Sequence, residues 1–269
     1  MATFDSQIAA VTAHVEELRA QGRAARAFAA PSSVAALDEG LPIRVGPGAS
    51  PGVILRADTF VELGSPDAGS CSLVLWTDAP SLGRDGRVTV IGPDIPEAPG
   101  ASLPFGQVLM VGGMDLGAEE HQSLEQAQFV ADQVEGYMVR SSSRNVWSRV
   151  SKDVAAKGFC LDTLGRALML IFKSSLPKVQ AMEIVFVTSG KEDLLRLGAI
   201  ATEVHERGKE IVKAHWKARG FDLDCDFDCR SCEERKVCDY IREVAGARKK
   251  KTRKAAAGSP RQRARQARC

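Results

Sequence analysis

Two regimes of hydrophobic patterning divide the chain. Over residues 6–29, Ile8, Val11, Val15 and Leu18 recur at helical spacing opposite Glu16, Glu17 and Arg19, which predicts an amphipathic helix able to pack on a core or on a partner. Residues 30–51 are rich in Pro, Gly and Ser and read as a linker. From Gly52 the pattern changes to short β-rich runs, GVILRADTFVELG, SCSLVLWT, GRVTVIGPDI and FGQVLMVGG, with Gly, Pro and Asp at the corners. Helical spacing is expected over 119–139, 146–157 and 163–173. AMEIVFVTS then reads as a buried strand, and 191–219 returns to a helix. Strands mostly first and helices mostly later predict an α+β domain, a mixed sheet with packed helices, over 52–219. It is preceded by a helix and linker (1–51) and followed by a small cysteine-rich segment (220–246) and a basic tail (247–269).

Composition bounds the class. With 269 residues and 44% hydrophobic content the chain can bury a sizeable core. No run approaches the roughly 20 apolar residues that span a bilayer, and the N-terminus lacks the basic-then-apolar order of a secretory signal, so a cytoplasmic protein is expected. The net charge of +2 conceals an asymmetry. Residues 248–269 carry ten Lys or Arg and no acid, which leaves about −8 on the remainder. Without an aromatic residue for base stacking, this tail reads as a solubilising or subunit-docking extension rather than a nucleic-acid arm.

The densest candidate chemistry is CDFDCRSCEERKVC, which places Cys225, Cys229, Cys232 and Cys238 within fourteen residues. Reduced thiolates at that density bind soft metal. A tetrahedral zinc draws its four sulfurs to within about 4 Å of one another and is usually held by two separated knuckles. A cubane is larger and can be wrapped by one loop, so the spacing leans to a [4Fe–4S] cluster, with zinc as the alternative. Asp222, Asp224, Asp226 and Asp228 crowd negative charge around the segment, which favours a low reduction potential. Cys71 and Cys160 lie in apolar surroundings and read as core residues, and Cys269 is assigned no role.

Elsewhere the signals are weaker. His14, His121, His205 and His215 are scattered, and surface or structural roles fit them. Asp94 and Glu62 sit at strand ends, where a catalytic carboxylate is conceivable, although turn chemistry around Gly92 and Pro93 accounts for Asp94 equally well. No phosphate-loop, dinucleotide-binding or nucleophile-elbow motif occurs, and no catalytic residue is assigned.

The strings RADTFVELG, DGRVTVIGPDIPE followed by SLPFGQ, WSRVSKDVAAKGF and AMEIVFVT together resemble the middle domain of the CO-methylating acetyl-CoA synthase, the β subunit of the CO dehydrogenase/acetyl-CoA synthase complex. The resemblance implies an α+β unit associated with coenzyme A through a tryptophan near RVSKD and nearby arginines. The matching positions are Trp147 and Arg149, with Arg140 and Arg144 close by. Guanidinium groups pair with phosphates and an indole offers adenine a stacking face. In the family a following domain holds a nickel–iron cluster, and Cys229, Cys232 and Cys238 resemble its first three cubane ligands, with Cys225 available as a fourth. The Cys-Gly-Cys element that holds the distal nickel is absent from the sequence. The expectation is therefore an iron–sulfur binding and electron-transfer subunit of a larger anaerobic complex, working with a corrinoid protein, a methyltransferase or another iron–sulfur enzyme. Contact with those partners is expected through the basic tail or the N-terminal helix. A catalytic component completed by a partner chain, or a zinc scaffold, are the alternatives.

Overall fold

The structure is a computed structural model and describes residues 4–49, 52–78, 82, 84–113, 116–127, 133–142 and 145–218. The chain is α+β. In order it forms α1 (Asp5–Ala20), β1 (Ala25–Ala29), α2 (Val34–Glu39), β2 (Thr59–Leu63), β3 (Ser70–Thr77), β4 (Arg87–Ile91), β5 (Ser102–Leu103), β6 (Phe105–Gly113), α3 (Ala118–Ala127), β7 (Tyr137–Ser142), β8 (Asn145–Ser151), α4 (Lys152–Ala156), α5 (Leu161–Ser175), β9 (Val179–Val187) and α6 (Leu194–Ala218). Two sheets result. A five-stranded mixed sheet has the order β1-β4-β9-β6-β3, and a four-stranded sheet has the order β5-β2-β8-β7.

The large sheet is covered on both faces, which is why its central strands read as unbroken apolar runs. All nine residues of β6 are buried, as are Cys71–Thr77 of β3. Gly106 faces α6, where an added β-carbon would stand 2.9 Å from Leu194 and 3.2 Å from Leu197. On the opposite face Gly165 of α5 lies against Val88, again with room only for hydrogen. Phe105 and Phe186 stack at 5.6 Å in the interior. The small sheet packs through β8 against β3 and β6.

Three expected helices are corrected. The helix expected over residues 6–29 ends at Ala20, and Ala25–Ala29 is an edge strand instead. The helix expected over 119–139 stops at Ala127, and its last residues belong to β7. That expected over 146–157 is strand β8 followed by the five-residue α4. The cause in the last case is a period of two: Val146, Ser148 and Val150 are buried while Asn145, Trp147, Arg149 and Ser151 turn outward. Ser151 then caps α4 by accepting from the Val154 amide at 3.4 Å. Residues 30–51 contain α2, whose Leu37 is fully buried. α1 packs against α6 and the large sheet.

Candidate functional site

The β7–β8 hairpin and the β2–β3 connection face each other across a cleft of about 480 Å³, lined by Gly64, Ser65, Pro66, Gly69, Ser70, Arg140, Asn145 and Trp147. One wall is the hairpin. In its antiparallel register Arg140 stands opposite Trp147 and Met138 opposite Arg149, so both pairs share a sheet face. Trp147 is half-buried, and its indole Nε1–H is buried without a hydrogen-bond partner among the described residues. The Arg149 guanidinium lies 4.9 Å from the centre of the Trp147 ring.

Arg149 is itself held. Its Nε donates to Glu62 Oε1 at 2.7 Å across the β2–β8 ladder, and a second nitrogen donates to the Ile54 carbonyl at 3.2 Å. Glu62 is thus a strand residue whose carboxylate orients an arginine. Arg140 is exposed at the cleft.

The other wall is the loop from Gly64 to Ser70. Gly64 has φ +69° and packs so closely on β8 that an added β-carbon would stand 2.2 Å from the Val146 carbonyl oxygen. Ser65 Oγ lies 2.7 Å from Ser102 Oγ and accepts from the Ala68 amide at 3.3 Å, which fixes the turn. Lys191 crosses the outer side of the loop, with its chain against Gly69 and its Nζ donating to the Asp67 carbonyl at 3.2 Å. The loop residues were not singled out in the sequence. Their signal was the Gly-Ser-Pro-Asp-Ala-Gly run between two strands, which marks a turn but no chemistry.

The structure brings Trp147, Arg140 and Arg149 onto one sheet face. Arg144 lies outside the described residues, and so do Cys225, Cys229, Cys232 and Cys238. Among the described residues no three His, Cys, Asp or Glu side chains converge to hold a metal ion.

The remaining sequence candidates have structural partners. Asp94 Oδ1 accepts from the Ile95 amide at 2.7 Å and from the Leu161 amide at 2.8 Å, so it closes one turn and begins α5. His14 Nε2 lies 2.9 Å from the Asp193 carbonyl oxygen. His121 Nδ1 accepts from the Trp76 indole at 3.1 Å, and burial, reinforced by His205, lowers its pKa to about 4. Cys71 is buried and Cys160 half-buried, with its sulfur 3.3 Å from Thr163 Oγ1. No helix among the described residues is long and apolar enough to cross a membrane.

Fold and cleft together describe a two-sheet α+β domain with an aromatic face and an exposed cation lining a nucleotide-sized recess. The family model of the CO dehydrogenase/acetyl-CoA synthase complex beta subunit matches residues 41–193, and the chain belongs to that family. It is similar to the acetyl-CoA decarbonylase/synthase complex subunit beta 1 of Methanosarcina thermophila, with 29% identity over 191 residues, covering 67% of this chain and 38% of that protein. The subunit beta 1 of Methanosarcina mazei is 30% identical over 188 residues with the same coverage, and the subunit beta of Archaeoglobus fulgidus is 27% identical over 185 residues, covering 34% of its length. The chain therefore spans less than half the length of these relatives.

Proposed function

We propose that this chain is a beta-subunit-type component of a complex handling C1 or acyl-CoA units, that it holds coenzyme A in the cleft at Trp147, and that Cys225, Cys229, Cys232 and Cys238 carry a [4Fe–4S] cluster which passes electrons to or from a partner subunit. The observation that supports the cleft reading most is Trp147 itself, a half-buried indole at the wall of the recess. An adenine supplies a flat surface on which the exposed part of that ring can stack. Arg140, exposed on the same face, supplies a charged donor for a phosphate. Arg149 is committed to Glu62 and to the Trp147 ring, so its part is to position the indole rather than to reach the ligand. Arg144, which falls between β7 and β8 in the sequence, is the further cation assigned to the phosphates.

Coenzyme A contributes a thiol that carries acyl groups, and this chain contributes binding and orientation. Competition against a fluorescent etheno-adenine analogue of coenzyme A tests the proposal. Coenzyme A should displace the analogue, pantetheine should not, and Arg140→Ala should weaken coenzyme A by about tenfold, the loss of one charge-assisted contact. Equal competition by pantetheine and coenzyme A would overturn the adenine and phosphate assignment.

A further inference from the structure

Strand β1 ends the order of the large sheet and, among the described residues, pairs on one side only, with β4. In an antiparallel pair the N–H and C=O of a residue point to the same side. The Ala30 amide donates to the Gly86 carbonyl at 2.6 Å and the Ala24 carbonyl accepts from the Gly92 amide at 2.8 Å, so the even-numbered residues are turned toward β4. The backbone groups of Ala25, Ala27 and Ala29 therefore point away from the sheet, and all three residues are exposed. The edge also lacks the usual protection. It has no Lys, no Pro and no bulge in its register with β4, and its single charge, Arg26, is engaged by Glu97 and by the Gly92 carbonyl.

The sequence of this edge, ARAFA, is symmetric about Ala27 in the positions of its alanines. We propose that β1 is a self-association edge, on which a second copy of this chain adds antiparallel about Ala27, fusing two five-stranded sheets into one of ten strands. In that register Ala27 faces its own counterpart and Ala25 faces Ala29 of the second copy. These are the residues whose N–H and C=O groups point outward, so every one of those groups finds a partner. Arg26 and Phe28 face each other at the intervening positions, where side chains approach most closely, and the arginine lies beside an aromatic ring. The residues on the other face, Ala25, Ala27 and Ala29, carry only methyl side chains. β1 lies outside residues 41–193, so the family match does not account for it. It also lies away from the cleft residues, so it stands independently of the coenzyme A proposal.

Pairing of five residues buries well under the roughly 1,200 Å² of stable interfaces, so the dissociation constant should be on the order of 100 μM. Sedimentation equilibrium of the full chain, purified anaerobically, from about 10 μM to about 1 mM should show a reversible dimer. Ala27→Pro removes an outward N–H that no bond among the described residues uses and should leave a monomer with an unchanged circular dichroism spectrum and melting curve. Ala27→Lys, which sets like charges face to face on the twofold axis, should do the same and decides the matter if the proline disturbs the strand. A monomeric wild type at the highest concentration, or a dimer that survives both substitutions, overturns the proposal.

Discussion

Gly64 and Asp94 show how much single residues decide here. At Gly64 the backbone adopts φ +69° and an added β-carbon would meet the Val146 carbonyl oxygen at 2.2 Å. A methyl group is therefore opposed both by conformation and by an unyielding backbone atom. Gly64→Ala should destabilise the fold by about 2 kcal/mol or more, measured by denaturant unfolding. Asp94 was legible in IGPDIPE as a residue either of turns or of catalysis. Its two accepted backbone bonds place it in the first class. Asp94→Ala should cost about 1–2 kcal/mol, with Asn recovering part of the loss, because an amide oxygen still caps two N–H groups. The half of the Asp94 role that the sequence announces is the local turn at Ile95; its bond to the Leu161 amide joins residues far apart in the chain. Trp147 became a candidate only through resemblance, since nothing in the residues around it announces an indole at the wall of a recess.

At the scale of elements, the central strands and helix α5 were plain because burial on every side writes long apolar runs, as in FGQVLMVGG and LGRALMLIF. The β7–β8 hairpin was hidden. VWSRVSKDVAA overlays a period of two on a short helix, so either half lends residues to the other's pattern, and Trp147 was read onto a helix when it stands on a strand. What ties the start of this hairpin is also long-range. Glu135 accepts from Lys157 Nζ and from the Arg44 amide, each at 2.8 Å, and the Lys157 contact, followed by the Arg44 amide, holds its pKa down at about 2 against an ordinary 4.5. A carboxylate lowered on folding stabilises the fold above its unfolded pKa, and that contribution is lost as pH falls from about 4.5 through about 2. Glu135→Gln should remove it. Because Lys157 is half exposed, the expected cost at neutral pH is modest, roughly 1 kcal/mol or less, and it should vanish near pH 2.

For the whole molecule, acid should act in two steps. His121 is buried between Trp76 and α6 with a pKa near 4 against an ordinary 6.5, so the unfolded chain takes up its proton first. Stability should fall from pH 6.5 toward 4, before Glu135 contributes, and the melting temperature of His121→Asn should vary less over that interval. The four clustered cysteines make the companion prediction. Metal and sulfide analysis after anaerobic purification should find about four iron and four sulfide per chain, lost when all four are replaced by Ser, whereas one zinc and no iron would make the segment structural. The α+β class was legible over residues 52–219 and the family over about half of the chain, because strand content and long strings survive in sequence. The cleft was not, because it forms where the β2–β3 loop meets a hairpin some 75 residues away, a distance that no local period records. The central claim is that the cleft takes coenzyme A through Trp147, and calorimetric titration of coenzyme A into the wild-type chain and into Trp147→Ala tests it most directly. One site per chain in the wild type, weakened tenfold or more in the variant, is the predicted result; no heat of binding in the wild type, or equal affinity in the two proteins, would contradict it.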